Sequence, residues 1–118
     1  MSDERILIVE DEAIVAKSIE AKLTRLGYHV LGTVYSGTDA IDMALESKPS
    51  LVLMDVRLRG KLDGVQAAQA IRSQLDVPIV YLTALPNEQR FRPFAYLGKP
   101  FTTAELHRAI QRAIGKHE

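Results

Sequence analysis

Short runs of consecutive apolar residues alternate along this chain with stretches where apolar residues recur every three or four positions. The runs are Ile6-Leu7-Ile8-Val9, Val30-Leu31, Leu51-Val52-Leu53-Met54, Ile79-Val80-Tyr81-Leu82 and Ala95-Tyr96-Leu97. Most are continuous rather than alternating, and β-branched residues are frequent. Strands buried on both faces, in a parallel sheet covered by helices, have this pattern.

The intervening stretches predict helices. Val15, Ile19, Leu23 and Leu26 share one face, Lys17, Lys22 and Arg25 point elsewhere, and Gly27 supplies a C-terminal stop. Ser36 caps the next helix, with Asp39 in its first turn and an apolar stripe of Ala40, Ile41, Ala44 and Leu45; Pro49 closes it. Ala68, Ile71 and Leu75 mark a third helix after Asp63-Gly64, and Pro78 precedes the fourth strand. Thr102 and Glu105 have capping-box spacing and open a last helix carrying Leu106, Ile110, Ala113 and Ile114, with Gly115 at its end.

Strand and helix therefore alternate, which implies a doubly wound parallel α/β sheet with right-handed crossovers. Fold analogy, rather than periodicity, suggests the flavodoxin-like order 2-1-3-4-5 for five strands. The segment from Leu85 to Phe94 is the exception. Pro86 and Pro93 bracket only the six residues Asn87 to Arg92, so a short or irregular fourth helix is expected there.

Composition narrows the setting. At 118 residues the chain is long enough for one core, and a single domain spanning 1–118 is expected. Lys+Arg and Asp+Glu number 15 each, so no bulk charge draws the chain to nucleic acid or to an anionic membrane. The absence of Cys excludes disulfides and thiolate metal sites. No apolar run approaches the roughly 20 residues of a membrane span. The acidic start Met1-Ser2-Asp3-Glu4 has no signal-peptide core, so a cytoplasmic location is expected.

The polar residues gather at one end of the expected sheet. Glu10-Asp11-Glu12 follow strand one, Asp55 follows strand three, Thr83 strand four and Lys99 strand five. Open α/β sheets bind ligands at these carboxyl ends, and the proposed order brings Asp11 and Asp55 together at the topological switch point. Clustered carboxylates repel one another unless a cation intervenes, and an all-oxygen set suits Mg²⁺. Lys99 adds positive charge and Thr83 a hydroxyl donor. Phosphoryl transfer needs mainly positioning and charge stabilisation, and an Asp carboxylate can act as its nucleophile. Each residue alone has a bland reading: a turn aspartate, the acidic first turn of a helix, a strand-end hydroxyl, a solvated lysine. Four such residues, each at a strand end, are poorly explained as separate accidents.

Over essentially its whole length the sequence resembles the receiver domain of two-component response regulators. The matching pieces are Ile-Leu-Ile-Val-Glu-Asp-Glu (6–12), Leu-Val-Leu-Met-Asp (51–55), Asp-Gly (63–64), Tyr-Leu-Thr-Ala (81–84) and Tyr-Leu-Gly-Lys-Pro-Phe (96–101). Each is weak alone; their order and spacing are specific. The resemblance implies Asp55 as phosphoacceptor and Mg²⁺ bound by Asp11, Asp55 and the backbone carbonyl of Arg57, with Glu10 acting through water. It also implies that Thr83 and Lys99 hold the phosphoryl oxygens and that the Lys99-Pro100 bond is cis. Tyr96 matches the family's aromatic switch, turning inward as Thr83 moves to the phosphoryl group; its bland reading is a half-buried tyrosine on an edge strand.

Several features depart from the family pattern. Glu10-Asp11 replaces two aspartates, and the loop after Asp55, Val-Arg-Leu-Arg-Gly-Lys-Leu-Asp-Gly, lacks the frequent proline. Thr83 and Lys99 are only 16 positions apart, shorter than usual by roughly a turn and a half of helix. The loss falls on the fourth helix, which counts against a symmetric dimer through that surface; the oligomeric state stays open. Arg57 and Leu85 occupy the positions that control water access in the family, which implies slow self-dephosphorylation. His29, His107 and His117 lack metal-ligand spacing and have packing or surface roles. Arg57, Arg59 and Lys61 form a basic cluster beside the site, expected to be a solvated loop.

Three functions compete. The first is a phosphorylation-dependent switch that takes its phosphoryl group from a sensor histidine kinase or phosphotransfer protein and acts on a downstream protein of unknown identity. Such a switch is not an enzyme beyond its own phosphorylation and dephosphorylation, and it binds neither nucleic acid directly nor membrane. The second is a phosphate-independent protein-binding module, opposed by the intact Asp55, Thr83 and Lys99. The third is a Mg²⁺-dependent phosphohydrolase with an aspartyl nucleophile, for which the chain has no spare length to form a cap. No output element follows the last helix, so the chain is expected to be either a stand-alone receiver or a piece of a longer regulator or hybrid kinase.

Overall fold

The three inner strands are apolar on both faces because both faces are covered. The computed structural model describes residues 3–84 and 95–117. In it β1 (Arg5–Val9), β3 (Leu51–Asp55) and β4 (Ile79–Thr83) are buried at every position except Arg5. The edge strands β2 (His29–Val34) and β5 (Ala95–Gly98) are only partly covered. All pairings are parallel, and the order is β2-β1-β3-β4-β5, as the fold analogy suggests.

Alternate residues of each strand feed two separate cores. Leu7, Val9, Val52, Met54, Ile79 and Tyr81 face α2 (Gly37–Ser47) and α3 (Gly64–Arg72). Ile6, Ile8, Leu51, Leu53, Val80 and Leu82 face α1 (Ala13–Arg25) and α4 (Thr103–His117). Each fully buried Leu or Ile contributes on the order of 1.5–3 kcal/mol relative to exposure. Register is strongly specified, because a slip of one residue would exchange the two faces. One irregularity occurs in β2, where Ile6 pairs with Val30 but Leu7 with Gly32, so Leu31 is passed over.

Local signals place most helix ends. Gly27 takes the left-handed conformation (φ 89°) after α1; its N–H donates to the carbonyl of Thr24, and that of Tyr28 to Leu23. These two bonds form a Schellman motif. The Ser36 hydroxyl accepts the Asp39 N–H at 3.1 Å, and Thr102 and Glu105 cap each other's N–H groups reciprocally. Asp63 and Gln66 form a second capping box that the sequence reading did not anticipate. Two expectations are corrected. Helix α3 ends at Arg72; Leu75 lies beyond it, its N–H turned back to the Ile71 carbonyl, while its side chain still packs on the core. Gly115 does not stop the last helix, which continues to His117, because the hydrogen bonds of a helix can span a glycine that no turn requires. The short or irregular fourth helix expected at 85–94 lies outside the described residues. No helix among the described residues is long and apolar enough to cross a membrane.

Candidate active site

Hydrogen bonding between strands continues past the carboxyl ends and holds the site backbone in place. Glu10 N–H donates to the Val34 carbonyl, Val56 N–H to Leu82 and Lys99 N–H to Thr83, at 3.0, 3.1 and 2.8 Å. Helix α1 begins only at Ala13, with Glu12 as its N-cap residue. Glu10 and Asp11 therefore precede the helix rather than forming its first turn. The buried polar residues of the described chain are Glu10, Asp55 and Thr83, all at this end of the sheet.

One carboxylate oxygen from each of Glu10, Asp11 and Asp55 lies within 4.8 Å of the others. The Lys99 ammonium bridges two of these residues, 3.3 Å from Glu10 Oε2 and 3.3 Å from Asp55 Oδ1. Asp55 Oδ1 also accepts the Arg57 N–H at 3.2 Å. Asp11 Oδ2 accepts the Arg59 N–H at 3.1 Å, with the Arg59 Nε at 3.4 Å. Glu10 Oε1 is buried with no hydrogen-bond partner among the described residues. Burial, and then the neighbouring Asp55 carboxylate, push the Glu10 carboxyl up to about 8; Lys99 opposes them. The single Lys99 charge does not offset the burial of Glu10 and its closeness to Asp55. The donor set fits a hard divalent ion: three converging carboxylates, all-oxygen, one of them with a buried oxygen that no donor among the described residues reaches.

Thr83 and Tyr96 lie on neighbouring strands. Thr83 pairs with Gly98 and Tyr81 with Tyr96, so Thr83 and Tyr96 project to the same sheet face. Tyr96 is half-buried against the core under α2 and α3. It also lines a groove of about 570 Å³ between β5 and α4, with Leu97, Arg108 and Arg112. That groove contains none of the clustered carboxylates. The Lys99-Pro100 bond is cis, as the resemblance implies.

The residues singled out in sequence thus divide. Glu10, Asp11, Asp55 and Lys99 are in mutual contact or near it, and Arg57 touches Asp55 through its backbone. Among the described residues no histidine belongs to the carboxylate cluster; His107 instead bonds the Tyr28 hydroxyl at 3.0 Å. Leu85 lies outside the described residues. Two contributors were missed. Arg59, assigned to a solvated loop, holds Asp11. Gly64 packs directly on the backbone of Asp55, where an added Cβ would stand 1.9 Å from the Asp55 carbonyl oxygen. The Asp63-Gly64 pair was a visible signal, but its contact with Asp55 was not.

Comparison with known proteins agrees with this geometry. The family model described as response regulator receiver domain matches residues 6–111. The transcriptional regulatory protein PdtaR of Mycobacterium tuberculosis (strain ATCC 25618 / H37Rv) is 38% identical over 118 residues, covering 95% of this chain and 57% of that protein. The chain therefore spans little more than half of that relative. The receiver domain of sensor histidine kinase PA1611 from Pseudomonas aeruginosa PAO1 has a magnesium ion coordinated in its active-site cleft. It superposes with a TM-score of 0.85 at 40% identity, over 97% of this chain and 99% of that one. The signal receiver domain of a modulated diguanylate cyclase from Desulfovibrio desulfuricans G20 superposes with a TM-score of 0.88 at 35% identity, over 98% and 97% of the two chains.

Proposed function

The chain belongs to the response regulator receiver domain family, and from that membership we propose a phosphorylation-dependent signalling switch that accepts a phosphoryl group on Asp55. The observation that carries this reading is the convergence of Asp55 with Glu10, Asp11 and the Lys99 ammonium at the carboxyl ends of β1, β3 and β5. In the reaction an Asp55 carboxylate oxygen forms a bond to phosphorus as the bond to the donor's leaving group breaks, giving an aspartyl phosphate. Lys99, already bonded to Asp55 Oδ1, pairs with a phosphoryl oxygen, and the Thr83 hydroxyl donates to another. The Arg57 N–H holds Asp55 Oδ1 and so orients the carboxylate.

Glu10, Asp11, Asp55 and the backbone carbonyl of Arg57 are the groups that would hold Mg²⁺, which when bound offsets the negative charge gathered around the phosphorus. In this reading Glu10 acts through water. Tyr96 shares a sheet face with Thr83 and borders the β5–α4 groove, so its inward rotation would reshape that surface. The donor is a sensor histidine kinase or phosphotransfer protein, and the receiver of the signal is a downstream protein. The chain turns over no other substrate, acts as one domain and works in the cytoplasm with its donor.

The test is intact mass after incubation with Mg²⁺ and acetyl phosphate, for wild type and Asp55→Asn. One added phosphoryl group in wild type alone is expected. No addition to wild type, under conditions that modify a known receiver, would replace this reading with the phosphate-independent binding module.

A further inference from the structure

We propose that Arg59 tunes the cation affinity of the acidic site by competing for Asp11. This rests on the reading of Glu10, Asp11 and Asp55 as a Mg²⁺ site. Two donors of one residue converge on a single oxygen: the Arg59 N–H at 3.1 Å and its guanidinium Nε at 3.4 Å from Asp11 Oδ2. Lys99 engages the other two carboxylates, Glu10 and Asp55. The three carboxylates are thus shared between two cations, and Asp11 is the one Arg59 holds.

The two pairs differ in strength. The Lys99 side chain is 23% exposed and faces a fully buried Glu10. Arg59 is 84% exposed and reaches over an Asp11 that is 10% exposed. An exposed guanidinium forms a weak, salt-screened pair, so it opposes a divalent ion without blocking it. Positive charge on Arg59 repels the arriving cation, and the cation draws Asp11 away from Arg59. Because the backbone N–H of Arg59 shares the same oxygen, Asp11 also links the cation to the loop that follows Asp55. Cation binding and the position of that loop then belong to one equilibrium. Arg59 acts through Asp11 and is a positioning residue.

Calorimetric titration of the protein with MgCl₂ tests this. Arg59→Gln keeps the N–H and removes the charge; it is expected to bind Mg²⁺ about two- to fivefold more tightly at low ionic strength, the range an exposed ion pair allows. The gain should vanish near 1 M salt, where charges are screened within about 3 Å. Arg59→Lys should return the affinity toward wild type, and Lys61→Gln, on the same exposed loop, should leave it unchanged. Equal or weaker binding by Arg59→Gln, or an equal gain in Lys61→Gln, would overturn the assignment to Arg59. A wild type that binds no Mg²⁺ would overturn the metal site itself and this inference with it.

Discussion

Replacing Gly64 with alanine should disturb Asp55 through its main chain. The added Cβ would stand 1.9 Å from the Asp55 carbonyl oxygen, 2.8 Å from its carbonyl carbon and 2.9 Å from the Val56 Cα. Contacts under 3.0 Å are essentially never seen for a real Cβ, so the two backbones must part by about 1 Å. Strand β3 cannot easily yield, because it is hydrogen-bonded on both sides, to β1 and β4. The start of α3 must move instead. That movement strains the Gly64 N–H bond to the Val56 carbonyl, 2.9 Å long, and the Asp63–Gln66 capping box.

The magnitude follows from these parts. Overpacking costs about 1–3 kcal/mol, and a weakened hydrogen bond and cap add about 1 kcal/mol. Alanine's better helix propensity returns somewhat less than 1 kcal/mol. The net expectation is a loss of about 1–3 kcal/mol, or roughly 10 °C in melting temperature for a domain of this size. Urea and thermal unfolding measure the loss. The rate of Asp55 phosphorylation by acetyl phosphate should fall at least about tenfold, since a 1 Å misplacement can cost as much as a hundredfold. Gly115→Ala is the control: it is exposed in α4 with nothing within 4 Å of the new Cβ, and it should stabilise by up to about 1 kcal/mol. A Gly64→Ala protein within about 1 kcal/mol of wild type and phosphorylated at the wild-type rate would refute the reasoning.

Glu10 predicts how stability depends on pH and metal. Its folded pKa, about 8, lies above the ordinary 4.5, so the folded chain keeps a proton that the unfolded chain has released. That stabilisation is complete below pH 4.5 and is lost as pH rises through about 8. Metal-free wild type should therefore lose melting temperature across this window relative to Glu10→Gln. Saturating Mg²⁺, which favours the carboxylate, should remove the difference in slope; identical metal-free slopes in the two proteins would contradict the assignment. Lys48 ends α2 in the left-handed conformation (φ 49°), which is unfavourable for a residue with a Cβ. Lys48→Gly should stabilise by about 0.5–1 kcal/mol in urea unfolding, and a clear loss of stability would show that the lysine is held there by something else.

What the sequence determined by itself was local. A short continuous apolar run alone fits a buried helix as well as a strand covered on both faces, but the flanking turn residues and frequent β-branching let the layered sheet be read from β1, β3 and β4. Gly27, Ser36 and the Thr102–Glu105 pair act within four residues of themselves, and each places a helix end where it was expected. Local signals failed where packing outweighed them: Gly115 is carried through by the helix around it, and Leu75 reaches the core without being helical. The strand-end positions of Glu10, Asp55, Thr83 and Lys99 were legible for the same local reason, and motif resemblance gave them roles.

Only the tertiary structure decided who touches whom. Lys99 lies 89 positions from Glu10 yet bridges it to Asp55; Arg59 lies 48 positions from Asp11 yet holds it. Gly64 must lack a side chain because the turn into α3 brings it against the Asp55 carbonyl, and no residue beside it in sequence announces that approach. Such contacts depend on which strands are neighbours, on their register and on the path of the connecting loop. Those are properties of the closed fold, set by the summed burial of two cores, and no short stretch of sequence contains them.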